Sequence, residues 1–402
     1  MKYVVILGDG MADYRQPSLN GKTPLMLANK PTIDALAKQG EVGLCRTVPC
    51  RMKPGSDVAN LSVLGYDPNL CYTGRSPLEA ASIGIELKNT DVTARANLVT
   101  VSDEPIYEDK TMIDYSAGEI STAEAKELIE YLASHLNNEK YRLYSGISYR
   151  HCLVIENGKV AGDFTPPHDI TGKPVKGHLP VSVTGKELLA LMERSYELLK
   201  DHPVNLARVK AGKRPANSLW FWGEGTKPAL EKFSDKFGLK GGIISAVDLL
   251  KGIGKLADMR VIEVDGATGN YDTNFEGKAK ACVDALKDGL DFVYVHMEAP
   301  DECGHHGDSA NKIYSIEKID GVVKYVVDGL NAMGEDFSML IAPDHPTPIS
   351  IMTHCSDPVP YIIYRSNAPI DSGASSYDEE QAEKTGVFVD RGIELMQKLI
   401  NG

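Results

Sequence analysis

The sequence lacks long apolar runs. No stretch of its 402 residues reaches the roughly 18 consecutive apolar residues that a bilayer-spanning helix needs. The first residues, MKYVVILGDGMAD, contain one lysine and a short apolar run ending in Gly-Asp-Gly, without the longer apolar region and cleavage site of a signal peptide. These absences argue against a membrane partner and predict a cytoplasmic protein.

Paired cysteines and basic tracts are also missing. The chain has seven cysteines, an odd number, and no CxxC pair, which argues against a disulfide framework and for a reducing compartment. Its formal net charge is −13 and no basic run offsets it, so we expect no nucleic-acid partner. An anionic substrate would need a local source of positive charge, and bound metal ions are the obvious one.

Short apolar runs alternate with helical patterns near the start of the chain and over its last ~170 residues. This alternation predicts an α/β fold whose mostly parallel sheet is flanked by helices. The predicted strands are Tyr3–Leu7, Gly241–Ile244, Met259–Glu263, Phe292–Met297 and Ser338–Ile341. The predicted helices are Thr32–Gln39, Ala246–Lys251, Glu276–Lys287, Ser315–Met333 and Asp390–Ile400.

The middle of the chain has a different character. It predicts strands at Ala94–Val101 and Tyr149–Ile155, and helices at Gly185–Lys200 and Thr122–Leu136, the latter with Ser121 as its N-cap. This pattern predicts a smaller α+β domain, residues 74–215, inserted into a core formed by residues 1–73 and 216–402. The segment KAGKRPA, residues 210–216, is the expected return linker.

Carboxylate and imidazole side chains cluster where predicted strands end. Asp9 follows the first strand, Asp301 and His305 follow another at i and i+4, and the pair Asp344 and His345 follows a third. A further candidate stands shortly before another apolar run, namely His354. Ligands bind at the carboxyl ends of strands in an open parallel sheet, so these groups can converge. Their mixed Asp/His chemistry suits Mn²⁺, Zn²⁺ or Mg²⁺.

A nucleophile candidate, Ser56, follows Gly55 and precedes DVANLSVLG, which predicts a helix. Free backbone N–H groups and the helix dipole favour negative charge at that position. A divalent metal can hold a serine hydroxyl as an alkoxide without a general base. The alternative is that Ser56 is simply the N-cap of the helix.

The order Asp, Ser, Asp-x-x-x-His, Asp-His, His resembles the alkaline phosphatase superfamily. More closely, the whole chain resembles the archaeal-type branch of the cofactor-independent (2,3-bisphosphoglycerate-independent) phosphoglycerate mutases. The matching stretches are LGDGMAD, KPGSDVANLSVLGYDP, YTGRSPLEAASIGIEL, FWGEGTKP, GATGNYDTNFEGKA, EAPDECGHHGD, APDH and THCSDPVP.

This resemblance implies an alkaline-phosphatase-like core and two divalent metals, manganese above all, with magnesium, zinc or cobalt as alternatives. Asp301, His305 and His354 would hold one metal, and Asp9, Asp344 and His345 the other, with Ser56 beside it as ligand and nucleophile. The inserted domain would supply basic residues to a small phosphorylated substrate; the candidates are Arg95, Arg150 and His151.

The implied reaction belongs to glycolysis and gluconeogenesis. It interconverts 3-phosphoglycerate and 2-phosphoglycerate through a phosphoserine on Ser56, without 2,3-bisphosphoglycerate. The chain equally resembles a bacterial sister group of proposed homoserine kinases, notably in YEDKTMIDYSAGEIS and YRHCLV. It has no GxxxxGK[ST] phosphate loop, although transfer through a serine would not need one. A metal-dependent phosphatase or phosphodiesterase is a further alternative, and the oligomeric state is left open.

Overall fold

The structure is a computed structural model that describes residues 1–162 and 164–402. The strands are β1 (Lys2–Gly8), β2 (Glu41–Cys45), β3 (Val92–Val101), β4 (Met112–Asp114), β5 (Tyr141–Tyr144), β6 (Arg150–Ile155), β7 (Ser218–Thr226), β8 (Gly241–Ile244), β9 (Arg260–Ile262), β10 (Phe292–Met297), β11 (Phe337–Ala342), β12 (Val359–Arg365) and β13 (Phe388–Val389).

The α-helices are α1 (Pro24–Leu27), α2 (Pro31–Lys38), α3 (Ser56–Val63), α4 (Pro68–Cys71), α5 (Ser76–Ser82), α6 (Thr122–Leu136), α7 (Val183–Leu199), α8 (Pro203–Lys210), α9 (Phe233–Phe237), α10 (Asp248–Leu256), α11 (Phe275–Lys287), α12 (Ala299–His305), α13 (Ser309–Met333), α14 (Glu379–Lys384) and α15 (Glu394–Asn401). Within the described residues, no helix combines the length and apolarity required to cross a bilayer.

The chain forms two units, one of Met1–Tyr72 with Ala229–Gly402 and one of Thr73–Pro228. The larger unit contains an eight-stranded sheet in the order β13-β2-β12-β11-β1-β10-β8-β9. Along this sheet only β12 runs antiparallel to its neighbours, and the other adjacent strands pair in parallel. The predicted α/β class with a mostly parallel sheet is therefore confirmed.

Helices cover both faces of this sheet. Val4 and Ile6 of β1 belong to an apolar cluster that also contains residues of α2, α11 and α13. The side chains of Val5 and Leu7 lie on the opposite face of the sheet and are also 0% exposed, so this second face is covered as well. On that side α3 packs against both α10 and α15, and α10 lies on β8 and α15 on β11. Burial on both faces explains why these strands are continuous apolar runs.

The smaller unit is built on an antiparallel sheet in the order β4-β3-β6-β5, with β7 paired to β3. Helices α6 and α7 contribute to its apolar core, and Ser121 caps α6 by accepting a hydrogen bond from the Glu124 N–H. The segment at 210–216 is not the return linker, because β7 follows it and pairs along β3 as far as Thr226. The chain returns to the larger unit after Pro228 rather than near Pro215.

Candidate active site

Three neighbouring parallel strands, β11, β1 and β10, deliver carboxylates to one edge of the larger sheet. Asp9 directly follows β1, Asp344 follows β11, and Asp301 lies in α12 just after β10. His354 precedes β12, and because β12 runs antiparallel, its first residues lie at the same edge. Sheet topology therefore brings together segments that are far apart in sequence.

The first ligand set consists of Asp301, His305 and His354. His305 Nε2 lies 3.3 Å from Asp301 Oδ2, as the i, i+4 spacing on α12 predicts, and His354 Nε2 lies 3.4 Å from Asp301 Oδ1. Burial alone would raise the pKa of Asp301, but hydrogen bonds from His305 and His354 hold it well below its ordinary value. The Asp301 carboxylate in turn raises the pKa of His305 to about 9. The Asp301 carboxylate therefore favours positive charge at the first ligand set.

The second ligand set consists of Asp9, Asp344 and His345, all of which are buried. His345 Nε2 lies 3.7 Å from Asp9 Oδ1 and 3.4 Å from Asp344 Oδ2. Burial, and then the neighbouring Asp344 carboxylate, raises the pKa of Asp9 well above its usual range. Burial also lowers the pKa of His345. Two ionised carboxylates in one buried place are unfavourable unless a proton or a bound cation neutralises their charge.

Both ligand sets fit a divalent cation. In each, one donor atom per residue lies within 4.8 Å of the others. Asp9 Oδ1 is buried and none of the described residues forms a hydrogen bond with it, so an oxygen lone pair is left for a ligand. His305 Nε2 and His354 Nε2 lie only 2.8 Å apart, which directs two imidazole nitrogens to one point. These are the donor types that Mn²⁺ and Zn²⁺ accept.

Ser56 is the first residue of α3, and Gly55 occupies the N-cap position without a side-chain cap. The Ser56 hydroxyl instead lies 3.3 Å from His345 Nε2. The alternative in which Ser56 only caps the helix is therefore not what the structure shows. A hydroxyl next to the second ligand set and to the free N–H groups of a helix can accept a phosphoryl group.

Some residues that organise this site escape a motif search. Asn60 lies one helical turn after Ser56; its amide donates to Asp344 Oδ2 at 2.8 Å and to the Ser56 carbonyl at 2.8 Å. Tyr294 donates its hydroxyl to Asn60 Oδ1 at 2.6 Å, which fixes the orientation of that amide. Spacing at i, i+4 from Ser56 is a usable signal for Asn60, whereas Tyr294 is hidden in an apolar strand.

His296 is a further residue that the motifs did not single out. Burial lowers its pKa to about 3, so the ring is neutral. Its Nε2–H donates to Asp9 Oδ2 at 2.8 Å, while Nδ1 accepts from the Ser245 hydroxyl at 3.1 Å. This contact satisfies one oxygen of Asp9 and leaves the other for the second ligand set. A histidine within the apolar run FVYVHM was the only sequence signal.

The three basic candidates of the smaller unit do not share a face. Arg95 pairs with Cys152 across β3 and β6, and Arg150 is two residues from Cys152, so both arginines lie on the same side. Arg95 Nε lies 2.9 Å from Glu79 Oε2 in an ion pair, and the guanidinium carbon of Arg95 lies 4.1 Å from the centre of the Trp222 ring.

His151 points to the opposite side of β6, the side on which Leu153 and Ile155 join the apolar core. It is 5% exposed, its Nδ1 accepts from the Gly146 N–H, and burial lowers its pKa to about 3. His151 and Arg150 therefore face opposite sides of β6, because consecutive strand residues point in opposite directions.

Known proteins are similar to this chain along its whole length, and a family model matches part of it. A family model described as 2,3-bisphosphoglycerate-independent phosphoglycerate mutase matches residues 37–205. The 2,3-bisphosphoglycerate-independent phosphoglycerate mutase of Methanosarcina acetivorans is 48% identical over 402 residues, which cover 100% of both chains. A solved protein structure from Pyrococcus horikoshii is similar with a TM-score of 0.83 and 29% identity, covering 100% of this chain and 96% of that one. The cofactor-independent phosphoglycerate mutase from Thermoplasma acidophilum has a TM-score of 0.68 and 26% identity, with 99% of each chain covered.

Proposed function

The chain belongs to the family of 2,3-bisphosphoglycerate-independent phosphoglycerate mutases, and from this premise we propose that it interconverts 3-phosphoglycerate and 2-phosphoglycerate through Ser56. The observation that carries the role of Ser56 is its place at the start of α3, with its hydroxyl 3.3 Å from His345 Nε2. Phosphoryl transfer needs a nucleophile beside concentrated positive charge, and the adjoining ligand sets can hold that charge.

Each ligand set would hold one divalent metal, manganese in our proposal. Asp301, His305 and His354 would bind the first, and Asp9, Asp344 and His345 the second, with Ser56 as a further ligand. Such ions, when bound, lower the pKa of a nearby hydroxyl and neutralise charge on phosphoryl oxygens. The protein's own part is to fix these donors in place, which the buried contacts of His296 and Asn60 support.

The transfer balances without any outside phosphoryl donor. Ser56 Oγ attacks the phosphorus of 3-phosphoglycerate, the bond from phosphorus to the glycerate oxygen breaks, and that oxygen takes up the proton lost by the serine. The N–H groups at the start of α3 favour the negative charge of the resulting phosphoserine. The other glycerate hydroxyl then attacks the phosphoserine and returns a proton to Ser56, giving 2-phosphoglycerate.

Arg95 and Arg150 remain our proposed anion-binding residues, because a guanidinium can pair with a carboxylate or phosphate through two parallel hydrogen bonds. Arg95 is held by Glu79 and Trp222, so its direction is set before any substrate binds. His151 is left out of this proposal, since it faces the apolar core. The cytoplasmic location remains a prediction.

A single experiment separates the candidate activities. Purified protein is incubated with MnCl₂ and 3-phosphoglycerate, without 2,3-bisphosphoglycerate, and the products are followed by phosphorus NMR. A second sample receives ATP and homoserine instead. We expect 2-phosphoglycerate to form in the first sample without release of inorganic phosphate, and no transfer in the second.

Two outcomes would overturn the proposal. Inorganic phosphate as the main product would make the protein a phosphatase, because water rather than glycerate would then attack the phosphoserine. Phosphohomoserine formed from ATP, with phosphoglycerate unchanged, would make it a homoserine kinase.

A further inference from the structure

Thr347 lies between the two ligand sets. It follows His345 by two residues and is 0% exposed. Its hydroxyl donates a hydrogen bond to Asp301 Oδ1, a member of the first set. The same oxygen lies 3.2 Å from Nδ1 of His345, a member of the second set. One side chain therefore contacts a candidate ligand of each metal.

These two contacts fix the hydrogen atoms. A threonine hydroxyl has one proton, and because that proton goes to the Asp301 carboxylate, the oxygen can only accept from His345. The imidazole must then carry its proton on Nδ1. Its other nitrogen, Nε2, keeps a lone pair on the side of Ser56 and the second ligand set. A single hydroxyl thus orients an oxygen of one set and selects the ring tautomer in the other.

The position of Thr347 is itself fixed by a buried ion pair. Lys312 of α13 is 0% exposed, and its ammonium donates to Asp13 Oδ2 at 2.8 Å and to the Thr347 carbonyl at 2.8 Å. Asp13 Oδ2 also accepts from the Ile349 N–H at 3.1 Å. The loop that follows β1 and the loop that follows β11 are therefore joined around Thr347.

Two glycines leave room for this side chain. A Cβ atom at Gly10, where φ is +61°, would lie 2.6 Å from Thr347 Oγ1 and 2.5 Å from Asp301 Oδ1. A Cβ atom at Gly304 would lie 2.8 Å from Thr347 Cγ2. All three distances are shorter than real non-bonded contacts of a Cβ atom, so the hydroxyl and the methyl group of Thr347 each occupy space that only glycine provides.

We propose that Thr347 is a positioning residue that couples the two ligand sets, so that loss of its hydroxyl weakens metal binding at both. The proposal rests on the two-metal function proposed above. It assigns no chemistry to Thr347, which does not touch the nucleophile in the contacts described. Its prediction differs from that of a residue serving one site, because Asp301 and His345 belong to different sets.

The test uses metal-stripped full-length protein titrated with MnCl₂ in a calorimeter. Thr347→Val removes the hydroxyl at nearly constant volume, Thr347→Ser keeps it, and Thr347→Ala replaces the valine variant if that protein does not fold. Thr47→Val is the matched control, because Thr47 is 1% exposed and its hydroxyl has no hydrogen-bond partner within residues 1–162 and 164–402. Thermal unfolding of each metal-free protein separates a loss of fold from a loss of metal affinity.

We expect Thr347→Val to weaken manganese binding at both sites by about 10- to 100-fold, as loss of a hydrogen bond to a metal ligand typically does. The manganese affinities of Thr347→Ser should stay within about threefold of the wild-type values, and those of Thr47→Val should equal the wild-type values. The proposal would be refuted if a folded valine or alanine variant bound manganese at both sites as tightly as wild type. It would also be refuted if manganese binding weakened at one site only. A wild-type protein that takes up no manganese would instead refute the two-metal function, and the coupling with it.

Discussion

Replacing Ser56 by alanine separates a catalytic role from a structural one. In stability terms the change is small. The hydroxyl makes a 3.3 Å contact with His345 and no capping bond, and one such hydrogen bond contributes about 0.5–1.5 kcal/mol. Alanine is the better helix former by a few tenths of a kcal/mol, which offsets part of that loss. We expect the melting temperature to change by less than about 3 °C.

In catalytic terms the same change is severe. The proposed mechanism needs an oxygen on the enzyme to carry the phosphoryl group between two substrate positions, and the methyl group of alanine has none. A loss of at least about 10³-fold in turnover is expected, equivalent to a barrier higher by about 4 kcal/mol. Steady-state conversion of 3-phosphoglycerate and a thermal melt of the same preparation measure both quantities.

Ser62 provides the matched control. It lies on the same helix, is 2% exposed, and belongs to neither ligand set. Ser62→Ala should keep most of the activity. Wild-type protein quenched early with substrate should carry acid-stable phosphate on the peptide containing residues 55–57. A Ser56→Ala enzyme retaining more than a few per cent of activity would refute covalent transfer, and label on another serine would move the nucleophile.

Three further predictions follow from contacts around the site. Tyr294→Phe removes the hydroxyl that holds Asn60, and it should cost about 1–3 kcal/mol of stability and lower turnover, which urea unfolding and kinetics would show. Burial raises the pKa of Glu379 from 4.5 to about 7, so its contribution to stability falls as pH rises across that interval. Glu379→Gln should therefore stabilise the protein by about 1–2 kcal/mol at pH 8 and by little at pH 4, and an equal gain at both pH values would contradict the burial argument. Chelation of metals should lower the melting temperature, and MnCl₂ should restore it in a concentration-dependent way; a melting temperature indifferent to both would argue against the ligand sets.

The central strands were predictable because burial on both faces produces unbroken apolar runs such as Phe292–Met297. The strands at the edge of the sheet were harder to predict from the sequence. Strand β13 has only two residues, Phe388–Val389, and β2 has a glycine at its centre, so neither carries a strong pattern. The antiparallel direction of β12 depends on pairing with β2 and β11, which no local signal encodes.

The candidate site likewise contains residues that the sequence indicated and residues that it did not. Asp9, Asp301 and Asp344 stand at strand ends, where sequence order alone suggests that they meet. Thr347 and His296 could not be assigned, because Thr347 contacts Asp301, 46 positions away, and His296 contacts Asp9, 287 positions away. Two-residue periodicity could already have shown that His151 and Arg150 face opposite sides of β6.

The place of β1 in the larger sheet has a consequence for how the protein is made. This strand lies between β10 and β11, so the residues synthesised first are paired only with residues that leave the ribosome more than 280 positions later. The smaller unit, Thr73–Pro228, has its own apolar core, and its strands pair with one another. It can therefore fold before the last strands of the larger unit have been synthesised. Long-range pairing of this kind is slow, and until it occurs the apolar residues of β1 remain uncovered on the nascent chain. Asp9 and Ser56 likewise lack their contacts with His345 until that late residue is made. A nascent chain that stops before it therefore holds a candidate nucleophile without its complete set of metal ligands.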